Sequence, residues 1–172
     1  NIRTMVEAIP HLVTDKTVNL FEKFGVFTRT ELESRAEINY ETYAKAMNIE
    51  ARAMIDIASK HIIPAVIKYV TSLATSINQV KEACGDVSVD VQQELLSESS
   101  ALLTDTRNAL KELIEKADQA ATMVHGKAKA EFFLYEVVPV MERLRKPVDE
   151  LEMIVNKEMW PMPSYGDLLF EV

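Results

Sequence analysis

Apolar positions recur along most of this chain at the spacing of helix faces. Val89, Leu96, Leu103, Leu110, Ala117 and Val124 follow one another at seven-residue intervals, and Leu95, Leu102 and Ala109 widen that face. Further on, Val137, Leu144 and Leu151 form one seven-residue row, while Phe133, Val140, Pro147 and Ile154 form another. A stripe this wide exceeds a two-stranded seam and fits three or four packed helices.

Start and stop signals divide the pattern. Thr14 can cap a short helix to Phe24, with Asp15 favouring its positive dipole end. Thr28 to Glu31 has capping-box spacing and so does Thr30 to Glu33, so two registers compete for the next start. From there to Cys84 only Pro64 interrupts the pattern, which gives about 55 residues or about 80 Å of helix. Pro64 lacks an amide hydrogen and clashes with the carbonyl of Lys60, so a kink is expected there. Ser88 or Asp90 opens the stretch from Val91 to Val124, and a third long element runs from Lys127, with Pro139 and Pro147 as further kink points. Gly25, Gly85 and Gly126 each follow a periodic stretch and are expected to end it in the left-handed conformation.

The predicted helices are thus 14–24, 28–83, 90–124 and 127–157, with Leu103 and Leu110 packed towards Val140 and Leu144. Short connections make sequential helices antiparallel neighbours. Trp160-Pro161-Met162-Pro163-Ser164-Tyr165-Gly166 is expected to be non-helical, because its prolines fix φ and push the residues before them to extended conformations. The predicted fold is all-α: an antiparallel bundle of three long helices, the first kinked at Pro64, with a short N-terminal helix and an extended C-terminal tail. The expected divisions are 1–27, 28–159 and 160–172.

Composition narrows the classes. Four glycines in 172 residues are too few for a β-sandwich or a doubly wound sheet. Leu, Ile, Val and Phe make up about 29% of the chain, well above the level of disordered sequences. A net charge of −8 without a basic block argues against nucleic acid. The single cysteine, Cys84, allows no internal disulfide and suits a reducing compartment. No apolar run reaches a membrane span, and no leader of secretory type opens the sequence. The opening Asn1-Ile2-Arg3-Thr4 reads as a piece of a longer cytoplasmic protein.

Catalytic patterns find little purchase. A di-iron bundle needs two Glu-x-x-His pairs, but Ala8, Ala58 and Thr122 stand three residues before His11, His61 and His125. Glu33, Glu37 and Glu41 share a helix face with Arg29 and Lys45 nearby, which reads as a solvated stripe. His61 reads as a partly buried histidine at the kink, and Cys84 has no group that would activate it. Four separated glycines make no phosphate loop. Arg143, Arg145 and Lys146 read as a solvated face. Arg35 and Arg52 sit beside alanines, where a guanidinium is usually paired. A partner in Glu37 or Glu50 is one reading, and a clamp between domains is the other.

Length leaves a mismatch. A first helix of about 57 residues outruns partners of about 35 and 30, so Leu32, Ile38, Tyr40, Tyr43 and Met47 are expected to lie partly beyond the three-helix core. The apolar tail Leu168-Leu169-Phe170, with Trp160 and Tyr165, is expected to be strapped against something.

Several stretches then resemble a known family: Leu20-Phe21-Glu22-Lys23-Phe24-Gly25-Val26, Glu31-Leu32-Glu33-Ser34-Arg35-Ala36-Glu37-Ile38, Asn48-Ile49-Glu50-Ala51-Arg52, Ile62-Ile63-Pro64-Ala65-Val66, and the close from Trp160 to Val172. Together they resemble the C-terminal region of type III glutamine synthetases. The resemblance spans essentially the whole chain and is strongest at its two ends. It implies a bacterial, cytoplasmic ligase that joins glutamate and ammonia using ATP and magnesium or manganese, built as a ring-type homo-oligomer. It also implies that this chain is not the part that does the chemistry: no catalytic, cofactor or metal residue carries over. Expected partners are the catalytic body of the same chain and neighbouring subunits, through Arg35, Glu37, Glu50, Arg52, Trp160, Tyr165, Leu168, Leu169 and Phe170. The competing reading is a stand-alone helical adaptor that binds a partner helix.

Overall fold

The structure is a computed structural model. It describes residues 1–163 and 165–170, with Tyr165 described by its backbone alone. Every regular element among these residues is helical. The short helix α1 (Met5–Ala8) runs into a 3-10 turn (Ile9–Val13), and α2 (Asp15–Lys23) follows. The long helices are α3 (Arg29–Ile57), α4 (Ile63–Ala83) and α5 (Asp90–Thr122). The chain closes with α6 (Lys127–Phe132), α7 (Val138–Ile154) and α8 (Tyr165–Phe170).

The caps explain the boundaries. Thr28 wins the competition for the start of α3: its backbone N–H donates to Glu31 Oε2 at 2.8 Å, and the Glu31 N–H donates back to Thr28 Oγ1 at 3.4 Å. Thr14 caps α2 through the Thr17 N–H. Gly25, at φ +64°, closes α2 with two backbone bonds, Gly25 N–H to the Glu22 carbonyl and Val26 N–H to the Phe21 carbonyl. Gly126, at φ +120°, instead precedes α6 at its N-cap. Gly85 has no positive φ, so the expected left-handed stop there is absent. Cys84 already leaves the helix in extended conformation, and the turn closes through a bond from the Val87 N–H to the Cys84 carbonyl.

Where the sequence predicts a bend at Pro64, the helix widens. Residues Ala58–Ile62 form a π turn, and the Ile63 N–H donates to the Ala58 carbonyl five residues back. A second π turn, Phe133–Val137, precedes Pro139 in the same way. One extra residue in the turn relieves the clash of the proline ring with the carbonyl four residues earlier. Pro147 sits inside α7.

The chain forms two compact units. The first comprises Asn1–Ala53 and Ile114–Val140. Its core joins Val6, Ile9, Ala36, Tyr40 and Ala130, with Val13, Tyr43 and Leu134 packed against them. Here α3 and α5 are antiparallel: Arg52 meets Asp118, while Glu37 approaches Gly126 just past the end of α5. The second comprises Met54–Leu113 and Met141–Val172. Its core joins Ile62, Val66, Tyr69, Leu151 and Val155, with Leu102, Leu103, Val148 and Trp160 around them. Within it α5 and α7 are antiparallel, since Glu112 pairs with Arg143 while Leu102 and Leu103 meet the Leu151 end.

The predicted rows of the last helix are buried throughout: Val137, Leu144 and Leu151 in one, Phe133, Val140 and Pro147 in the other, with Ile154 half-buried. On α5 the burial shifts to one side. Leu110 and Ala117 are buried as expected, but Val124 is exposed. Leu95, Leu102 and Ala109 are only half-buried. The second buried row is Ser99, Thr106, Leu113 and Ala120.

Two further corrections concern the ends. The N-terminal segment is structured from Met5, and its Val6 and Ile9 belong to the core that buries Tyr40. Leu32 is buried as well, so of the expected overhang only Ile38 stands exposed, with Tyr43 and Met47 half-covered. At the other end the chain stays non-helical through Pro163, but Tyr165 and Gly166 already belong to α8. A proline restricts its own φ and the residue before it, not the residues after it.

Candidate interaction surfaces

Among the expected interaction residues, Arg52 is the one held in an ion pair. Its Nη2 lies 2.8 Å from Asp118 Oδ1 and ties α3 to α5 within the first unit. The partner is neither Glu37 nor Glu50. Glu50 is exposed on α3, and with burial as the larger cause it holds the Tyr43 phenol above its ordinary range. Glu37 directs Oε2 towards the turn at Gly126. Arg35 makes a different contact: its guanidinium carbon stands 4.2 Å from the centroid of the Phe27 ring.

Phe27 in turn lies 5.7 Å from Phe21, at 51° between planes. These three residues line a groove with Leu12, Leu32 and Ile38. Two charged residues beside it, Arg29 and Glu31, already have partners. Arg29 donates to Asp15 at 2.8 Å through its side chain and to Glu22 at 3.1 Å through its backbone, and Asp15 raises its pKa. Thr28 holds the Glu31 carboxyl below the usual carboxylate range through a backbone and a hydroxyl hydrogen bond.

In the second unit Trp160 packs into the core, and its backbone N–H donates to the carbonyl of Asn156 at 3.0 Å. Its indole Nε1 is buried and finds no acceptor among the described residues. Beside it runs a groove lined by Met54, Ile62, Val148, Met162 and Leu168. Lys157 donates to Asp167 at 2.8 Å and holds the start of α8 against the preceding turn. Even so, Leu168, Leu169 and Phe170 remain 66%, 71% and 81% exposed. Among the described residues nothing closes the expected strap over these three side chains. The side chain of Tyr165 lies outside the described residues.

Three features of the first unit escape the sequence reading: the Phe21–Phe27–Arg35 stack, Asp118 as the partner of Arg52, and the core role of Val6 and Ile9. A signal existed for the last, since Thr4 and Glu7 have capping-box spacing and the Glu7 N–H does donate to Thr4 Oγ1 at 3.3 Å.

Residues 1–81 match the family described as Glutamine synthetase C-terminal domain. Over that segment, just under half of its length, the chain is similar to that family. A glutamine synthetase of Butyrivibrio fibrisolvens is 27% identical over 172 residues, all of this chain and 25% of the relative. A glutamine synthetase of Bacteroides fragilis and a type-3 glutamine synthetase of Dictyostelium discoideum are each 31% identical over 99% of this chain and 24% of the relative. The chain thus spans about a quarter of the length of the curated relatives it matches. The family segment covers α1 to nearly the end of α4 and contains the aromatic groove whole.

ATP and a divalent metal belong to the family's whole enzyme, and the side chains present here do not fit them. Among the described residues no three His, Cys, Asp or Glu side chains gather where they could hold a metal ion. Gly25, Gly85 and Gly126 lie in separate turns and cannot cradle a phosphate chain. No helix among the described residues is long and apolar enough to cross a membrane.

Proposed function

We propose that this chain is a non-catalytic helical domain that serves the structure and subunit assembly of an enzyme making glutamine from glutamate, ammonia and ATP. One observation carries the reading: relatives named glutamine synthetase match the chain from end to end, yet it covers only about a quarter of each. ATP and magnesium or manganese then bind to the remainder of the polypeptide, in the cytoplasm. Residues 1–27 lead in from the catalytic body, 28–159 form the helical framework, and 160–172 are a docking segment for a neighbouring subunit. Exposed Leu169 and Phe170 support that last role, because apolar side chains at such exposure favour a protein contact.

Deletion of residues 160–172 from the full-length enzyme is the test. Weaker assembly or a lower Tm, with turnover per intact site unchanged, is the expected result. Unchanged assembly and Tm would remove the support for a docking role. Independently, the coding sequence upstream of Asn1 must contain glutamine synthetase motifs.

A further inference from the structure

We propose that the groove of Phe21, Phe27 and Arg35, together with the exposed apolar side chains of Leu20, Phe24 and Val26 that adjoin it in the chain, is the surface on which the remainder of the same polypeptide docks. The inference rests on the reading above and names the surface that it leaves open.

Three observations converge on this occupant. About three quarters of each relative lies outside the matched segment, and a C-terminal domain receives that remainder at its N-terminal side. The lead-in is pinned rather than loose. The Arg3 N–H donates to Glu7 Oε2 at 2.9 Å, Thr4 caps α1, and Val6 and Ile9 are locked in the core of the first unit.

Exposed apolar side chains also crowd the lead-in and the elements next to it. Ile2, Met5, Leu20, Phe24, Val26 and Ile38 all stand exposed within the first 38 residues. Near the groove, Arg29 and Glu31 already hold partners in Asp15, Glu22 and Thr28, so covering it strands neither of these charges. Arg35 rests on an aromatic ring, and a guanidinium stacked in this way presents N–H donors that suit carbonyl or carboxylate oxygens of the docked body.

The test compares two positions of equal exposure in this domain, Phe24 at 69% and Ile49 at 68%. Phe24→Cys and Ile49→Cys are made singly in the full-length polypeptide with Cys84→Ser, and thiol alkylation is timed in the native state. Cysteine at position 24 should react at least tenfold more slowly than at position 49, independently of protein concentration. Equal rates would overturn the proposal. Protection that fades on dilution would assign the groove to a second copy and also overturn it. Hydroxyl-radical labelling of Phe24 and Ile49 in the unsubstituted polypeptide repeats the comparison without a variant. A polypeptide that makes no glutamine would sink the functional reading while leaving this ratio measurable.

Discussion

Arg52 and Asp118, 66 positions apart in the chain, meet at 2.8 Å and fix the register of α3 against α5 in the first unit. Both side chains are substantially exposed, so the pair orients the helices more than it stabilises them. A double-mutant cycle of Arg52→Ala and Asp118→Ala should give a coupling of about 0.2–1 kcal/mol that shrinks with added salt. A coupling above about 2 kcal/mol would mean that the pair is far better shielded than its exposure implies.

Two glycines should respond differently to the same change. Gly126→Ala places a Cβ at φ +120° and 3.4 Å from Glu37 Oε2, and should cost about 1–3 kcal/mol. Gly85→Ala meets only ordinary contact with the Lys81 carbonyl at 3.9 Å and has no positive φ, so its Tm should fall little or rise slightly. Chemical denaturation of both variants checks the order.

The capping box at α3 predicts a pH effect with a definite sign. Thr28 donates from its backbone and its hydroxyl to Glu31, which lowers the folded pKa of that carboxyl. A lowered folded pKa stabilises the native state above the unfolded value and loses that contribution as pH falls through the folded value. The stability gap between the parent chain and Glu31→Gln should therefore be full near neutrality and close in acid. Thr28→Ala should cost about 1 kcal/mol near neutrality. Thermal melts across pH 3 to 7 measure both.

Ser99 and Thr106 are both buried on α5 but differ in their bonding. Thr106 Oγ1 donates to the Leu102 carbonyl at 2.8 Å, whereas Ser99 Oγ has no partner among the described residues. Removing an unsatisfied buried hydroxyl recovers its desolvation cost, of about 1–3 kcal/mol, against the small void it leaves. Ser99→Ala should leave stability unchanged or raise it. A clear loss would show that the hydroxyl has a bound water or another acceptor.

The core itself should behave conventionally. Leu151, fully buried beside Ile62, Val66 and Val155, should cost about 2–5 kcal/mol on substitution by alanine. Met153, two residues on and exposed, should cost less than about 0.5 kcal/mol.

Local rules, acting within a turn or two of helix, determined much of this protein from its sequence. Thr14, Thr28 and Gly25 set helix ends through bonds to residues at most five positions away. The rows of Val137, Leu144 and Leu151 marked the buried face of the last helix because side chains seven apart lie on one side. Even the disturbance before Pro64 was visible, since a proline's clash is with its own preceding turn, although its form as a π turn was not.

What only the tertiary structure decided involves distant segments. Ser99 and Thr106 carry hydroxyls and do not look like core residues until the packed helices bury them completely. Asp118 is one acid among many until α5 folds back along α3. Leu32 and Tyr40 were expected to lie partly beyond the three-helix core, because the length of a helix says nothing about what a segment over twenty residues earlier will cover. Periodicity records which side of a helix is apolar. Which partner meets that side is set by chain reversal and close packing, to which residues far apart in sequence contribute jointly.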